Sequence, residues 1–278
     1  MNDPFPRRIV CLTEESTETL YLLGEQDRIV GISGFTVRPA QARREKPKVS
    51  AFTSAKIGEI EALEPDLVIG FSDIQADIAA ELIRRGVEVW ISNHRSVEGI
   101  LAYMRRLGAL VGADDRAREL CERARAHLDE IARRAATLPR RARVYFEEWD
   151  EPMISGIRWV SELVAIAGGD DIFPECAVSS LAKGRILADP FAPAARMPDI
   201  IIGSWCGKKF RPERVAARAG WQDVPAIRDG ELHEIKSPLI LQPGPAALFE
   251  GVDELARIID AWSDRMAVRS DGASSVTR

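Results

Sequence analysis

From its seventh residue the chain alternates short, unbroken apolar runs with stretches whose apolar residues recur at helical spacing. "RRIVCL", "RIVGIS", "PDLVIGF" and "VEVWIS" are rich in Val and Ile; between them lie a helical pattern over about 16–23, closed by Gly24, then "IGEIEAL" and "IQADIAAELIRRG". Unbroken apolar strands separated by helices predict a buried, mostly parallel sheet. The second half repeats the order. "ARVYFEEW", "PDIIIGSW" and "GELHEIK" predict strands, "WVSELVAIAGGDDIF" a helix ending at Gly168-Gly169, and "PFAPAARM" and "RPERVAARAGW" shorter helical pieces.

One phrase occurs in both halves: "EPDLVIGF" at 64–71 and "RMPDIIIGSW" at 196–205. Pro65 and Pro198 each end a helix, because the residue before a proline is pushed out of the helical region. An Asp then opens a buried strand, a Gly closes it, and an aromatic, Phe71 or Trp205, lies at its end. The duplication predicts an α/β fold of two Rossmann-like lobes with mostly parallel sheets. Residues 97–138 read as the connection, with one long helix from Asp114 to Thr137 carrying the stripe Leu120, Ala124, Leu128 and Ile131, and stopped by Pro139. At 1.5 Å per residue it reaches about 36 Å, enough to join two lobes. The expected division is a first lobe at 1–96, the bridging segment at 97–138, and a second lobe with its closing helix at 139–266. The polar, aperiodic stretch 267–278 reads as a frayed tail.

Composition narrows the function. Apolar residues at 46% can fill a core, and the net charge of −5 is spread along the chain, which offers no partner surface for nucleic acid. No apolar run approaches the roughly 18–20 residues needed to span a bilayer, so no membrane insertion is expected. The first strand pattern begins too soon after Met1 for a secretory signal. As it stands the sequence reads as cytoplasmic; with an export signal upstream it would read as periplasmic. Cys11, Cys121, Cys176 and Cys206 are scattered and read as free thiols, with no metal site. His94, His127 and His233 pair with no nucleophile, and no P-loop, G-x-S-x-G or G-x-G-x-x-G occurs. An enzyme is not expected.

Candidate binding chemistry gathers just past the predicted strand ends, where open α/β sheets hold their ligands. Phe35, Phe52, Phe71, Trp149 and Trp205 fall there. Arg38 follows Phe35; Lys208, Lys209 and Arg211 follow Trp205; Glu147, Glu148 and Asp150 flank Trp149. Aromatic-lined clefts are the usual small-ligand sites, and Arg38, Lys208, Lys209 and Arg211 beside these rings would suit a ligand bearing carboxylate or phosphate groups.

Over about residues 7–265 these features resemble the cobalamin and ferric-siderophore substrate-binding proteins of ABC importers, which have the class III periplasmic-binding fold. The resemblance is carried most specifically by "RIVGISGFTVRPAQARREKPKVSAFTSAKIGEIEALEPDLVIGF", and in the second half by "VYFEEWDEPMISG". It implies that Phe35, Phe52 and Phe71 stand where the family's aromatics contact a corrin, with Trp149 near another such position. It also implies a glutamate on each lobe for docking on an ABC permease; here the chain departs from the pattern, since the corresponding stretches offer Asp77 and Asp189 in place of a glutamate. The expected function is noncovalent binding of cobalamin or a related corrinoid in an inter-lobe cleft, with Arg38, Lys208 and Arg211 at the ligand's polar rim and no covalent cofactor. A ferric siderophore or haem is the alternative ligand. A cytosolic enzyme or corrinoid-handling factor built on Glu147, Cys206 and Lys208 is the alternative class.

Overall fold

The computed structural model describes residues 4–275. Two compact units divide the chain: Met1–Ala124 with Gln242–Pro245, and Arg125–Leu241 with Ala246–Arg278. Residues 97–124 thus fall with the first unit, and a short return segment, 242–245, joins it. The first unit holds β1 (Ile9–Cys11), β2 (Ile29–Ser33), β3 (Lys48–Ser50), β4 (Leu67–Phe71) and β5 (Val89–Ser92). They pair in parallel in the order β3-β2-β1-β4-β5. This is a Rossmann-like order, with its reversal between β1 and β4. Val10, Leu12, Val49, Val68, Ile78 and Leu82 form its core against the helices.

The second unit holds β6 (Ala142–Asp150), β7 (Met153–Ser155), β8 (Gly169–Asp171), β9 (Ile200–Gly203) and β10 (Leu232–Glu234). β6 is the longest strand and organises the sheet. β9 runs parallel along one edge, and β10 runs parallel to β9. The other edge of β6 is shared by β8, parallel at its start, and β7, which folds back antiparallel at its end. The core here is heavily aromatic, with Tyr145, Phe173, Trp205, Phe210 and Trp221 packed together.

The long helix spans Asp114–Ala135, about 33 Å. Its first half belongs to the first unit, where Arg116 pairs with Glu25. Its second half belongs to the second, where His127 meets Asp253 at 3.0 Å and Arg134 meets Asp260 at 3.1 Å. The helix expected to end at Gly168-Gly169 stops at Ile166; Gly168, at φ +96, terminates it, and the next three residues leave as β8. One expectation changes. The closing helix runs Val252–Ser275, through most of the stretch read as a frayed tail, while residues 276–278 lie outside the described residues.

The repeated phrase performs the same work in both units. Glu64 and Met197, just before the prolines, take positive φ values of 45 and 47. Asp66 accepts the backbone N–H groups of Arg7 and Arg8 at 2.7 and 2.9 Å, and donates its own N–H to the Arg8 carbonyl at 3.0 Å. Asp199 accepts from Arg143 N at 2.8 Å and donates to the Arg143 carbonyl at 2.8 Å. Each Asp therefore locks the entry of its strand onto the central strand and fixes the register of all that follows. The glycines serve close packing. A Cβ on Gly70 would lie 2.5 Å from Gln75 Oε1 and 2.7 Å from Ile91, and one on Gly203 would lie 1.9 Å from the Phe210 ring. Gly70→Ala and Gly203→Ala are therefore each expected to destabilise by about 1–3 kcal/mol, the usual cost of overpacking. Urea denaturation of the two variants checks this; unchanged midpoints would show that neither contact constrains the fold.

Candidate functional site

The carboxyl end of the first unit's sheet is built on carboxylates that the sequence did not single out. β1 ends at Cys11, and the helix Glu14–Leu22 begins three residues later, so its first turn lies over the strand end. Glu14, Glu15 and Glu18 are all buried there. One Glu14 oxygen accepts the N–H groups of Val37 and Arg38, both at 3.0 Å, and Glu18 takes the Arg38 guanidinium at 2.8 Å. Arg43 donates to the Gly34 and Thr36 carbonyls at 2.8 and 3.1 Å from the other side. The loop after β2 is thereby held at both ends, and it presents Phe35 with 58% of its surface open.

Gln75, fully buried, joins three strand ends. Its Oε1 accepts Phe71 N–H at 2.9 Å, and its amide nitrogen donates to the Phe52 carbonyl at 3.1 Å and the Leu12 carbonyl at 3.4 Å. Phe52 is partly open. Phe71 is not: only 5% is exposed, its ring packs edge-on to His94, and the Arg95 guanidinium lies 4.5 Å above it. His94 is fixed in one tautomer. Its Nε2 donates to the Pro243 carbonyl at 2.7 Å, leaving Nδ1 to accept from the Ser92 hydroxyl at 2.8 Å.

Burial sets the protonation of this end. It raises Glu14 and Glu15 to about 7 by penalising their charged forms, against the lowering pull of the hydrogen bonds to Val37, Arg38 and Thr13. It lowers His94 to about 4, keeping the imidazole neutral.

At the corresponding end of the second unit, β6 supplies Glu147 and Asp150 and β9 leads into Trp205. Glu147 is fully buried and accepts from Tyr145 Oη at 3.0 Å, Trp205 Nε1 at 3.1 Å, and both terminal nitrogens of Arg218 at 2.6 and 2.9 Å. Such a bidentate pair, with every oxygen used, is the form in which a buried charge is tolerated. Asp150 takes the Lys208 ammonium, which also lies 4.0 Å above the Trp149 ring and 5.0 Å from that of Trp205. Trp149 is half-buried, and its indole nitrogen donates to the Glu151 carbonyl at 2.8 Å.

The structure thus gathers Phe35, Arg38, Phe52 and Phe71 at one sheet end, and Trp149, Trp205 and Lys208 at the other. Two expectations need correction. Phe71 and Trp205 do not offer open faces: each is buried at the end of its strand with a cation over the ring, because a large apolar ring there gains more from packing than from exposure. Arg38 and Lys208 are committed to Glu18 and Asp150. Arg211 is exposed and lies 3.7 Å from Glu213. Asp77 and Asp189 are exposed, the latter accepting Phe191 N–H at 2.9 Å. The grouping imagined for an enzyme does not form around Glu147, whose carboxylate is occupied by Tyr145, Trp205 and Arg218. Sequence reasoning passed over Glu14, Glu18 and Gln75. The only signal was three acids in six residues directly after a strand, in the "TEESTE" that opens the first helix.

The raised Glu14 and Glu15 carboxyls make a signed prediction. Their folded pKa of about 7 lies above the ordinary 4.5, so the folded state holds their protons more tightly than the unfolded state. Their contribution to stability is full below about pH 4.5 and is lost as pH rises through about 7. Glu14→Gln keeps an oxygen for Val37 and Arg38 but removes the charge. Its stability relative to the parent should rise between pH 5 and pH 8, measured by urea melts at both; an equal offset at the two would contradict the assignment.

Comparison with known proteins agrees with this architecture. The vitamin B12-binding protein of Vibrio campbellii is 24% identical over 241 residues, covering 85% of this chain and 84% of that protein. The ABC transporter substrate-binding lipoprotein YvrC of Bacillus subtilis, itself uncharacterized, is 24% identical over 268 residues, covering 91% and 80%. Among solved structures, the apo periplasmic heme-binding protein RhuT from Roseiflexus superimposes with a TM-score of 0.78 at 20% identity, covering 93% of this chain and 98% of that one. No helix among the described residues is long and apolar enough to cross a membrane. Residues 9–239 match the periplasmic binding protein family, and the chain is a member of it.

Proposed function

We propose that this protein binds cobalamin or a related corrinoid noncovalently at the carboxyl-end rims of its two sheets, as the substrate-binding component of an ABC importer. The observation that carries this reading is that Arg38, Lys208 and Arg218 are already paired while aromatic faces stay open. Arg38 is held by Glu18, Lys208 by Asp150 and Arg218 by Glu147, whereas Phe35 and Phe52 are exposed and Trp149 is half-buried. A corrinoid is a broad macrocycle fringed mainly with uncharged amides; it gains from aromatic contact and from hydrogen bonds to charges that stay paired. Haem and carboxylate siderophores bring several negative charges. Binding them here would draw Arg38 or Lys208 from buried partners, at the cost of leaving those carboxylates unpaired. The B12-binding relatives support the same choice. Exposed Asp77 and Asp189 are the docking residues in this reading.

Isothermal titration calorimetry with cyanocobalamin is expected to show saturable one-to-one binding. Phe35→Ala and Phe52→Ala should each weaken it about tenfold, the loss of roughly 1.4 kcal/mol of aromatic contact, without lowering the melting temperature. No saturation at tens of micromolar cobalamin would refute the reading. Tighter binding of haemin would replace it with the haem-binding alternative.

A further inference from the structure

The second unit contains a recess of about 390 Å³ that the residues discussed so far leave unused, within the size range of small-ligand sites. Phe191, Trp221 and Met153 give it apolar walls, and Arg214 and Asp150 give it polar groups. The Phe191 ring is half open, and it can lie where it does because position 220 has no side chain: a Cβ on Gly220 would come within 2.9 Å of it. Trp221 forms the buried floor, its indole nitrogen donating to the Pro190 carbonyl at 3.2 Å and the Arg218 guanidinium stacking 4.8 Å above its ring. The recess therefore combines an exposed aromatic face with a guanidinium plane, surfaces on which a flat heterocycle stacks well.

Its charges differ in how firmly they are held. Arg218 is fixed by two short hydrogen bonds to Glu147. Arg214 is half exposed, and its ion pairs are long, 3.4 Å to Asp150 and 4.0 Å to Glu151. Of the five N–H donors on its guanidinium, several stay available for an incoming oxygen anion. Asp150 also connects this recess to the rim, since the same carboxylate receives Lys208 on the rim side and Arg214 on the recess side.

We infer that the recess receives the nucleotide tail of the corrinoid, with the bicyclic base stacking on Phe191 and the phosphodiester meeting Arg214. This deepens, and rests on, the corrinoid reading above. The tail stands off one face of the macrocycle, and it pairs a neutral heterocycle with a single negative charge. That combination matches one open aromatic face beside one loosely held guanidinium. A polyanion would not suit the recess, because Asp150 and Glu151 also face Arg214.

The test compares cyanocobalamin with dicyanocobinamide, which carries the macrocycle and its amides but lacks the nucleotide, by calorimetry on the full chain. The parent protein should prefer cobalamin at least fivefold. Phe191→Ala and Arg214→Ala, both at exposed side chains, should each erase most of that preference by weakening cobalamin while leaving cobinamide affinity within twofold; thermal melts confirm that the variants are folded. Equal affinity of the parent for the two corrinoids would overturn the recess assignment and leave the corrinoid reading intact. Loss of both affinities together in the variants would overturn it as well, since the effect would then not belong to the tail. Failure of the parent to bind either compound would overturn both readings.

Discussion

Backbone pairing at the entry of two strands governs the rest of this structure. Asp66 and Asp199 each exchange hydrogen bonds with the backbone at the start of a central strand, through both the side chain and the main chain. With period-2 side chains, a slip of one residue would exchange the faces on which every side chain of β4 or β9 packs, and both faces are buried. A fixed entry also fixes the exit. Five and six residues later, Phe71 and Trp205 must emerge at the carboxyl end of their sheets, where each unit assembles its polar groups.

The two sheet ends solve the same problem with different charges. Buried carboxylates are costly unless every oxygen has a partner. In the first unit Glu14 and Glu18 accept hydrogen bonds from the loop that carries Phe35, which offset part of the cost of burial and hold that ring in place. In the second, Glu147 and Asp150 meet it with Arg218 and Lys208, and Lys208 in turn covers two tryptophan faces. In both units the charge serves to position aromatic groups. A surface of paired charges and selected open rings follows.

Much of the architecture was legible. The strands β1, β2, β4, β5, β6, β9 and β10 each lie within an apolar run that reads as a strand, and the long helix ends within two residues of its expected terminus. β3, β7 and β8 were not read as strands, because their three residues, "KVS", "MIS" and "GDD", do not stand out from the loop or helix patterns around them. The aromatics were found as residues, but their exposure was not. Phe35 and Phe71 look alike in sequence, yet one is open and the other buried beneath Arg95, a residue 24 positions further along.

What the sequence by itself determined is the duplicated α/β plan, for periodicity, Pro-Asp entries and strand glycines act over a few residues and can be read locally. Tertiary structure alone decided which charges are free. Lys208 and Asp150 are 58 positions apart, Arg218 and Glu147 are 71, and Arg38 and Glu18 are 20. No local pattern announces such pairs, since an ion pair depends on distance in space, and that distance exists only once each unit has folded its own strands side by side.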